Sequence, residues 1–389
     1  MGSKPVTLKT RPLRVALFTD TFLPKVDGIT TVICLLLDHL AERGVETIIF
    51  SPDTGPIDHY NKTPVITARS IPFPFYPDLR MALPGRRTFQ DLHAFQPDVI
   101  HFIHPSVFGL AAYAIVRQRM TYPALVSYHI DYGRIAQHFY VGPFNARFIE
   151  PTINFLTRWI MNQADYNLAP SRLIQQRVRD IGVTAEVGLW KRGVDAEKFH
   201  PRFADAAMRD QLSGGHPDDV LLLYVGRLSA EKRLGDLKAV LEQVPGTRLA
   251  LVGDGPERAA LQRHFAGLPV TFAGYMQGEA LSQAYASGDI FVFPSALESF
   301  GLVVVEAMAA GLPVVASRVG GVMDMIDEGR TGYTFEPGDV AGLVAGVRHI
   351  VQNRACIEQM GLAARAFAET QTWPAMMDEV IAHYERIMN

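Results

Sequence analysis

The chain has 389 residues, enough for two domains with separate cores, because a single core rarely grows past roughly 250–300 residues. Its formal net charge of −3, with charged residues at 20%, leaves no basic footprint, so no nucleic-acid partner is expected. The two cysteines, Cys34 and Cys356, fall far apart in apolar helical patterns, as buried reduced thiols of a cytoplasmic protein do. No run reaches about 18 consecutive apolar residues, and residues 1–4 lack the apolar core of a signal peptide. The expectation is a cytoplasmic chain that neither spans a membrane nor is secreted.

Residues 14–19 (R-V-A-L-F-T) predict an apolar strand, residues 20–30 a turn-rich loop, and residues 31–43 a helix. A dinucleotide fingerprint would need G-x-G-x-x-G at this first strand-to-helix turn, and only Gly28 is present, which disfavours a nicotinamide cofactor. Gly28 serves either a plain turn or a close approach of the loop backbone to a ligand. Further strands at 47–50, 99–102 and 124–128 alternate with helices at 86–95 and 107–120, the pattern of a doubly wound parallel sheet.

His129 follows the strand 124–128 directly, at the edge where open α/β sheets hold their ligands, and is singled out as a functional residue. The other histidines lack that context, and neither H-E-x-x-H nor paired cysteines suggest a metal. Residues 71–80 (I-P-F-P-F-Y-P-D-L-R), continuing to Arg86 and Arg87, are aromatic, proline-broken and edged with arginine. The prolines exclude a central strand or a long helix. Two readings stand side by side: a loop that meets an anionic lipid surface through Tyr76, Arg80, Arg86 and Arg87, or a connector packed on the core.

Residues 144–163 predict an amphipathic helix and 166–170 a strand, after which the charged, glycine- and proline-bearing stretch 189–201 marks a domain junction. The alternation then restarts. Strand 220–225 runs into Gly226-Arg227-Leu228-Ser229-Ala230-Glu231-Lys232 and a helix to residue 244, with two cations five residues apart across the helix start. Arg227 as a planar fork and Lys232 as a point charge suit a diphosphate. The turn Gly253-Asp254-Gly255-Pro256 after strand 249–252 is read as structural, and Gly274-Tyr275-Met276 after strand 270–273 as a border for a nucleobase. The last segment, 373–389, has the apolar spacing of a capping helix.

Residues 294–311 (P-S-A-L-E-S-F-G-L-V-V-V-E-A-M-A-A-G) organise the second half. The apolar run 290–293 predicts a buried parallel strand, Phe300-Gly301 opens a short helix, and Gly311 with Pro313 stops it. Backbone amides at that helix start favour an anion. Glu298 and Glu306 beside it would repel an anion unless they accept hydrogen bonds from neutral hydroxyls. A polyhydroxylated phosphate ligand, such as a nucleotide sugar, reconciles the two.

Four stretches then carry a family resemblance: E-x7-E from Glu298 to Glu306, G-R-L-S-A-E-K at 226–232, G-D-G-P at 253–256 and G-V-D-x-x-x-F-x-P at 193–201. Together they resemble glycosyltransferase family 4. Residues 190–201, 208–217 and 221–232 are similar to bacterial sulfoquinovosyldiacylglycerol synthases, while F-T-D-T-F-L-P-K-V-D-G-I-T at 18–30 is similar to lipid-directed mannosyl- and glucosyltransferases. The resemblance implies a GT-B fold, an α/β architecture of two Rossmann-like doubly wound parallel-sheet domains facing a cleft. Residues 1–190 would form the acceptor domain, 191–370 the donor domain, and 371–389 a helix packing back on the first.

By the same resemblance Arg227 and Lys232 would bind the donor diphosphate with the amides of Phe300, Gly301 and Leu302. Glu298 would accept from the sugar's hydroxyls and Glu306 from the ribose, His129 would face the reacting sugar, and Gly28 would line the diphosphate side. The implied activity is retaining transfer of a hexose to a membrane lipid without metal or cofactor. Sulfoquinovose moving from UDP-sulfoquinovose to diacylglycerol leads. The alternatives are a GDP-mannose-dependent α-mannosyltransferase, a UDP-glucose-dependent glucosyltransferase, a nucleotide-sugar epimerase, and a non-catalytic nucleotide-sugar-binding module. Localisation would be cytoplasmic, with peripheral contact to an anionic membrane.

Overall fold

The computed structural model describes residues 11–25, 28–73, 76–129, 146–298, 300–352 and 354–388. The chain divides into two compact units, one of residues 1–190 and 377–389, the other of residues 191–376.

The described residues of the first unit carry ten strands: β1 (Arg14–Thr19), β2 (Glu46–Pro52), β3 (His59–Tyr60), β4 (Thr63–Ala68), β5 (Ser70–Phe73), β6 (Tyr76–Ala82), β7 (Val99–Ile103), β8 (Ala124–Ser127), β9 (Tyr166–Ala169) and β10 (Val187–Leu189). Eight of them form one sheet in the order β10-β9-β8-β7-β1-β2-β4-β3, parallel throughout except for β3 against β4. Parallel strands covered on both faces must be apolar almost without break, and β7 (V-I-H-F-I) is buried at all its residues. Phe18 of β1 stacks on Phe50 of β2 and Phe102 of β7, with ring centroids 4.6 and 5.1 Å away. Truncating a ring buried this way typically costs about 3–5 kcal/mol.

The second unit carries β11 (Val220–Val225), β12 (Thr247–Val252), β13 (Val270–Gly274), β14 (Ile290–Phe293), β15 (Val314–Ser317) and β16 (Gly332–Phe335), all parallel in the order β13-β12-β11-β14-β15-β16. Gly193 of the junction sequence belongs to this unit, and it must be glycine because a Cβ on it would stand 2.5 Å from the backbone of Trp373. Val194 N–H donates to Gln371 O at 2.8 Å alongside.

Four expectations change. Residues 70–73 and 76–82 are strands, not loop: β5 and β6 pair antiparallel as a separate two-stranded ribbon, which an edge position lets prolines enter. The helix expected from 232 to 244 is two 3-10 turns, Ala230–Lys232 and Leu234–Asp236, followed by Leu237–Gln243. Arg233 breaks it at φ 51°, its guanidinium held by Asp236 at 2.9 Å. Gly28 is the first residue of the helix Gly28–Glu42, not part of a loop before it. Cys34 and Cys356 are free but half-buried, not buried.

The last helix, Trp373–Met388, begins in the second unit, and from Met377 onward it belongs to the first. There Asp378 accepts from His39 at 2.7 Å and Tyr384 is fully buried. No helix among the described residues is long and apolar enough to cross a membrane.

Candidate active site

In the second sheet the chain leaves β11 for β12 and β13, then returns to β14 on the other side of β11. The β11/β14 boundary is therefore the topological switch point, where the loops after two neighbouring strands diverge and leave a crevice. Both cation and glutamate motifs occupy those two loops. After β11, Gly226 has φ 149°, and a Cβ on Gly253 after β12 would lie 1.9 Å from Gly226 O. A Cβ on Gly255 would lie 2.3 Å from Leu228 O. The glycines of G-R-L and G-D-G thus let two strand-end loops pack backbone on backbone, tied by Leu228 N–H to Asp254 O at 3.0 Å.

The loop after β14 is tied to the loop after β11 by Ala296 N–H donating to Glu231 O at 2.8 Å. It ends at Gly301, which caps the helix Leu302–Ala309 at φ 75° and has no side chain of its own to bond the helix start. A Cβ on Gly301 would meet Val322 at 2.9 Å, so glycine answers both the left-handed backbone and the close neighbour. At the other end Leu312 N–H donates to Ala307 O and Gly311 N–H to Met308 O, both at 3.0 Å, the paired bonds of a glycine-stopped helix.

Lys232 Nζ reaches Glu298 Oε2 at 3.0 Å in front of this helix start, and Glu298 Oε1 accepts from Phe300 N–H at 3.3 Å. The ammonium also lies 5.3 Å from the centre of the Phe293 ring. Lysine and glutamate are 17% and 19% exposed, enough for a ligand to reach both and little enough to fix their geometry. Beneath them the Arg192 guanidinium sits 4.0 Å over the Phe300 ring. Burial pushes Arg192 down to about 9. Arg227 is exposed, and its guanidinium has no hydrogen bond or ion pair among the described residues.

Glu306, one turn into the helix, accepts from Tyr285 Oη at 2.8 Å. Burial pushes its carboxyl up to about 7, against the pull of the Tyr285 hydroxyl and the charge of Lys198. The Phe199 ring meets Tyr285 edge-on at 5.3 Å, so the G-V-D-x-x-x-F-x-P stretch supports the partner of Glu306. The sequence-derived residues Lys232, Glu298, Phe300 and Gly301 come together in direct contact. Tyr275 stands apart at the end of β13, 74% exposed.

In the first unit the switch point lies between β1 and β7, where the chain turns from β1 toward β2 and later returns. The helix after β7, Val107–Arg119, has its opening amides occupied. Asp20, just past β1, accepts from the N–H groups of Ser106, Phe108 and Gly109 at 2.8, 2.8 and 3.1 Å. Burial pushes the Asp20 carboxyl up despite those bonds.

His129 is 3% exposed past the end of β8, its Nε2 2.9 Å from Ser127 Oγ and its ring edge-on to Trp190 at 4.9 Å. Its backbone N–H donates to His104 Nδ1 at 3.1 Å. His104 holds φ 48° at the end of β7, and His101 of β7 bonds Ser127 Oγ through Nε2 at 2.9 Å and Tyr384 Oη through Nδ1 at 2.7 Å. These two histidines, set aside on sequence, belong to the same buried cluster. The signal available was their place on and after an apolar strand next to that of His129. Of the lipid-facing candidates, Arg80 Nε donates to Ser70 Oγ across the ribbon at 3.0 Å, and Arg86 and Arg87 are exposed beyond it. Tyr76 lies on β6. Residues 130–145, which follow His129, lie outside the described residues.

Two parallel-sheet units, with phosphate-suited charge at the switch point of the second, define a GT-B glycosyltransferase architecture. The family model for Glycosyltransferase Family 4 matches residues 26–198, and that for Glycosyl transferases group 1 matches residues 219–353. The chain belongs to glycosyltransferase family 4 and transfers a sugar from a nucleotide sugar. It is 37% identical over 378 residues to the sulfoquinovosyl transferase SQD2 of Arabidopsis thaliana, a match spanning 95% of this chain and 73% of that one. It is 34% identical to the GDP-mannose-dependent alpha-mannosyltransferase of Mycolicibacterium smegmatis, spanning 97% of this chain and 98% of that one. Among solved structures it is similar to sucrose-phosphate synthase from Thermosynechococcus elongatus, with TM-score 0.72 and 23% identity over 96% of this chain and 99% of that one. Anabaena HepE in complex with UDP gives TM-score 0.73 at 20% identity, over 96% of this chain and 100% of that one.

Proposed function

We propose that the chain is a retaining hexosyltransferase that moves sulfoquinovose from UDP-sulfoquinovose to diacylglycerol. The observation that carries the site is the Lys232–Glu298 pair at 3.0 Å before a helix start whose cap residue is Gly301. The donor rests on the 37% identity to a sulfoquinovosyl transferase. Residues 1–190 serve the acceptor and 191–370 the donor. Lys232, Arg227 and the amides of Phe300, Gly301 and Leu302 hold the diphosphate. Glu298 accepts from the transferred sugar's hydroxyls, Glu306 from the ribose, and Tyr275 borders the base. His129 is a ligand of the reacting sugar, and Gly28, at the start of its helix, lines the diphosphate side.

In the proposed step the anomeric C–O bond to the β-phosphate breaks while the acceptor hydroxyl attacks the same face. The acceptor's proton passes to the departing phosphate oxygen, so atoms and charge balance. The Lys232 ammonium, the Arg227 guanidinium and the helix dipole stabilise the charge that grows on the diphosphate. Glu298 leaves Lys232 for the sugar as the diphosphate arrives.

Docking at an anionic membrane would use the ribbon β5–β6 and its surroundings, where Ile71 and Leu83 are 63% and 70% exposed beside Arg86 and Arg87. Equal sedimentation with and without anionic vesicles would remove that part.

A second reading, GDP-mannose-dependent transfer, is favoured by the mannosyltransferase match that spans nearly the whole of both chains. Calorimetric titration of UDP and GDP in EDTA separates the two. Selective UDP binding, followed by product formation from UDP-sulfoquinovose and diacylglycerol with the donor's anomeric configuration kept, is the expected result. Selective GDP binding would transfer the proposal to the mannosyl donor. Conversion of the donor without any acceptor would point to an epimerase.

A further inference from the structure

A line of buried polar groups runs from the C-terminal helix to the edge of the first sheet. Tyr384 Oη lies 2.7 Å from His101 Nδ1, His101 Nε2 lies 2.9 Å from Ser127 Oγ, and Ser127 Oγ lies 2.9 Å from His129 Nε2. Tyr384, His101 and Ser127 are each 0% exposed and His129 is 3% exposed. The Tyr384 and Ser127 hydroxyls have no other side-chain or backbone partner among the described residues.

Proton counting restricts this line to one arrangement. A hydroxyl has one hydrogen to donate, and a neutral imidazole donates from one nitrogen and accepts at the other. Burial pushes His101 down to about 3, so its ring is neutral, and burial raises the Tyr384 phenol, which keeps its proton. Running from the helix inward, Tyr384 O–H donates to His101 Nδ1, His101 Nε2–H donates to Ser127 Oγ, and Ser127 O–H donates to His129 Nε2. Each of these three hydrogens finds an acceptor. Reversing the line makes His101 Nδ1–H the donor and strands the Tyr384 hydrogen in the core. Letting both histidines donate to Ser127 strands the serine hydrogen instead. A buried donor without an acceptor keeps its whole desolvation penalty, so both are disfavoured.

We infer that Tyr384, acting through His101 and Ser127 as positioning residues, holds His129 in the neutral tautomer that carries its proton on Nδ1. The inference deepens the proposed role of His129 and rests on that reading for its catalytic meaning. With Nε2 accepting from Ser127, the remaining ring nitrogen is a hydrogen-bond donor. Toward the sugar a ring in this state can only donate, and the acceptor's proton has no imidazole lone pair to go to. The departing phosphate is left as its destination, as the same-face step requires.

Nitrogen-15 spectra of the full chain labelled at histidine test this directly, because ring shifts distinguish Nδ1–H, Nε2–H and imidazolium. The His129 signals are assigned by their loss in His129→Ala. The expected result is an Nδ1–H ring in the unmodified chain and a population shifted toward Nε2–H in Tyr384→Phe, which keeps the ring packing and removes only the hydroxyl. Ser127→Ala, which cuts the line at its middle, should shift His129 in the same way, with thermal unfolding reporting that each variant is folded. An Nε2–H or imidazolium His129 in the unmodified chain, or one unmoved in either folded variant, overturns the inference. Turnover is a separate readout: kcat should fall at least about tenfold in both variants with KM for the donor unchanged. A shifted tautomer with unchanged turnover would count against His129 as a ligand of the sugar and leave the relay standing.

Discussion

The two switch points of this chain are wired alike and finished differently. In each, a helix begins directly after the first strand on the far side of the crossover: Val107–Arg119 after β7, Leu302–Ala309 after β14. Each helix start carries partial positive charge from unpaired amides. In the first unit the loop after β1 brings its own anion, the Asp20 carboxylate, onto three of those amides. In the second the loop after β11 brings Lys232 instead, and a glycine stands at the cap. One helix start is closed by a carboxylate on three of its amides; at the other Glu298 takes only the Phe300 N–H, ahead of the Gly301 cap. A motif hunt that looks only for helix starts after strands cannot separate them; the charge carried by the neighbouring loop does.

The largest effect should come from removing the cation. Lys232→Ala is expected to lower kcat/KM for the donor by about 10²–10³-fold, the usual loss for one transition-state charge contact, with the fold intact. Steady-state kinetics with a circular-dichroism control would show it, and a loss below about threefold would detach Lys232 from the leaving group.

Next is the closed site. Asp20→Ala leaves buried amides without their acceptor and should cost about 2–3 kcal/mol in denaturant unfolding. It should also convert the first helix start into an anion site. Sulfate is then expected to raise the Tm of the variant more than that of the unmodified chain, and equal shifts would show that burial, not Asp20, closes it.

Glu306 sharpens the comparison through pH. Its pKa in the ligand-free chain is raised to about 7, so its contribution to stability is full below about 4.5 and is lost as pH rises through about 7. Glu306→Gln removes that loss and should gain stability at pH 8 relative to pH 4. Ribose hydroxyls that donate to the carboxylate favour its charged form, so nucleotide binding should release a proton. Affinity should rise by up to about tenfold per pH unit below 7 and level off above it, and Glu306→Gln should be flat. Calorimetry in buffers of different ionisation enthalpy counts the proton directly.

The smallest effect concerns Glu298. Glu298→Gln frees the Lys232 ammonium from its carboxylate and should tighten nucleoside diphosphate binding by about two- to fivefold while turnover falls. Weaker binding would mean that Glu298 orients Lys232 for the diphosphate and does not compete with it.

Much of the fold was legible because parallel strands buried on both faces announce themselves as apolar runs. The strands at 14–19 and 220–225 were found with the boundaries the structure shows. The short β3 and β10 and the ribbon β5–β6 were not, since two- to four-residue strands and proline-bearing pairs carry little periodicity. The Phe300-Gly301 turn and the glycine stop were legible for a local reason, because a left-handed residue at a helix end calls for glycine. The break at Arg233 was missed for the converse reason, an arginine in the left-handed region that no propensity would place there.

By itself the sequence determined the alternation of strands and helices, the pairing of cations with one strand end and glutamates with another, and the family. These are local matters of periodicity, turn chemistry and residue order. Only the tertiary structure decided that Asp20 seals one helix start 86 residues away, that Lys232 lies on Glu298 across 66 residues, and that Tyr384 reaches His101 across 283. Such contacts are set by which strands become neighbours and by the need of every buried polar group for a partner, and neither leaves a mark at any single position in the chain.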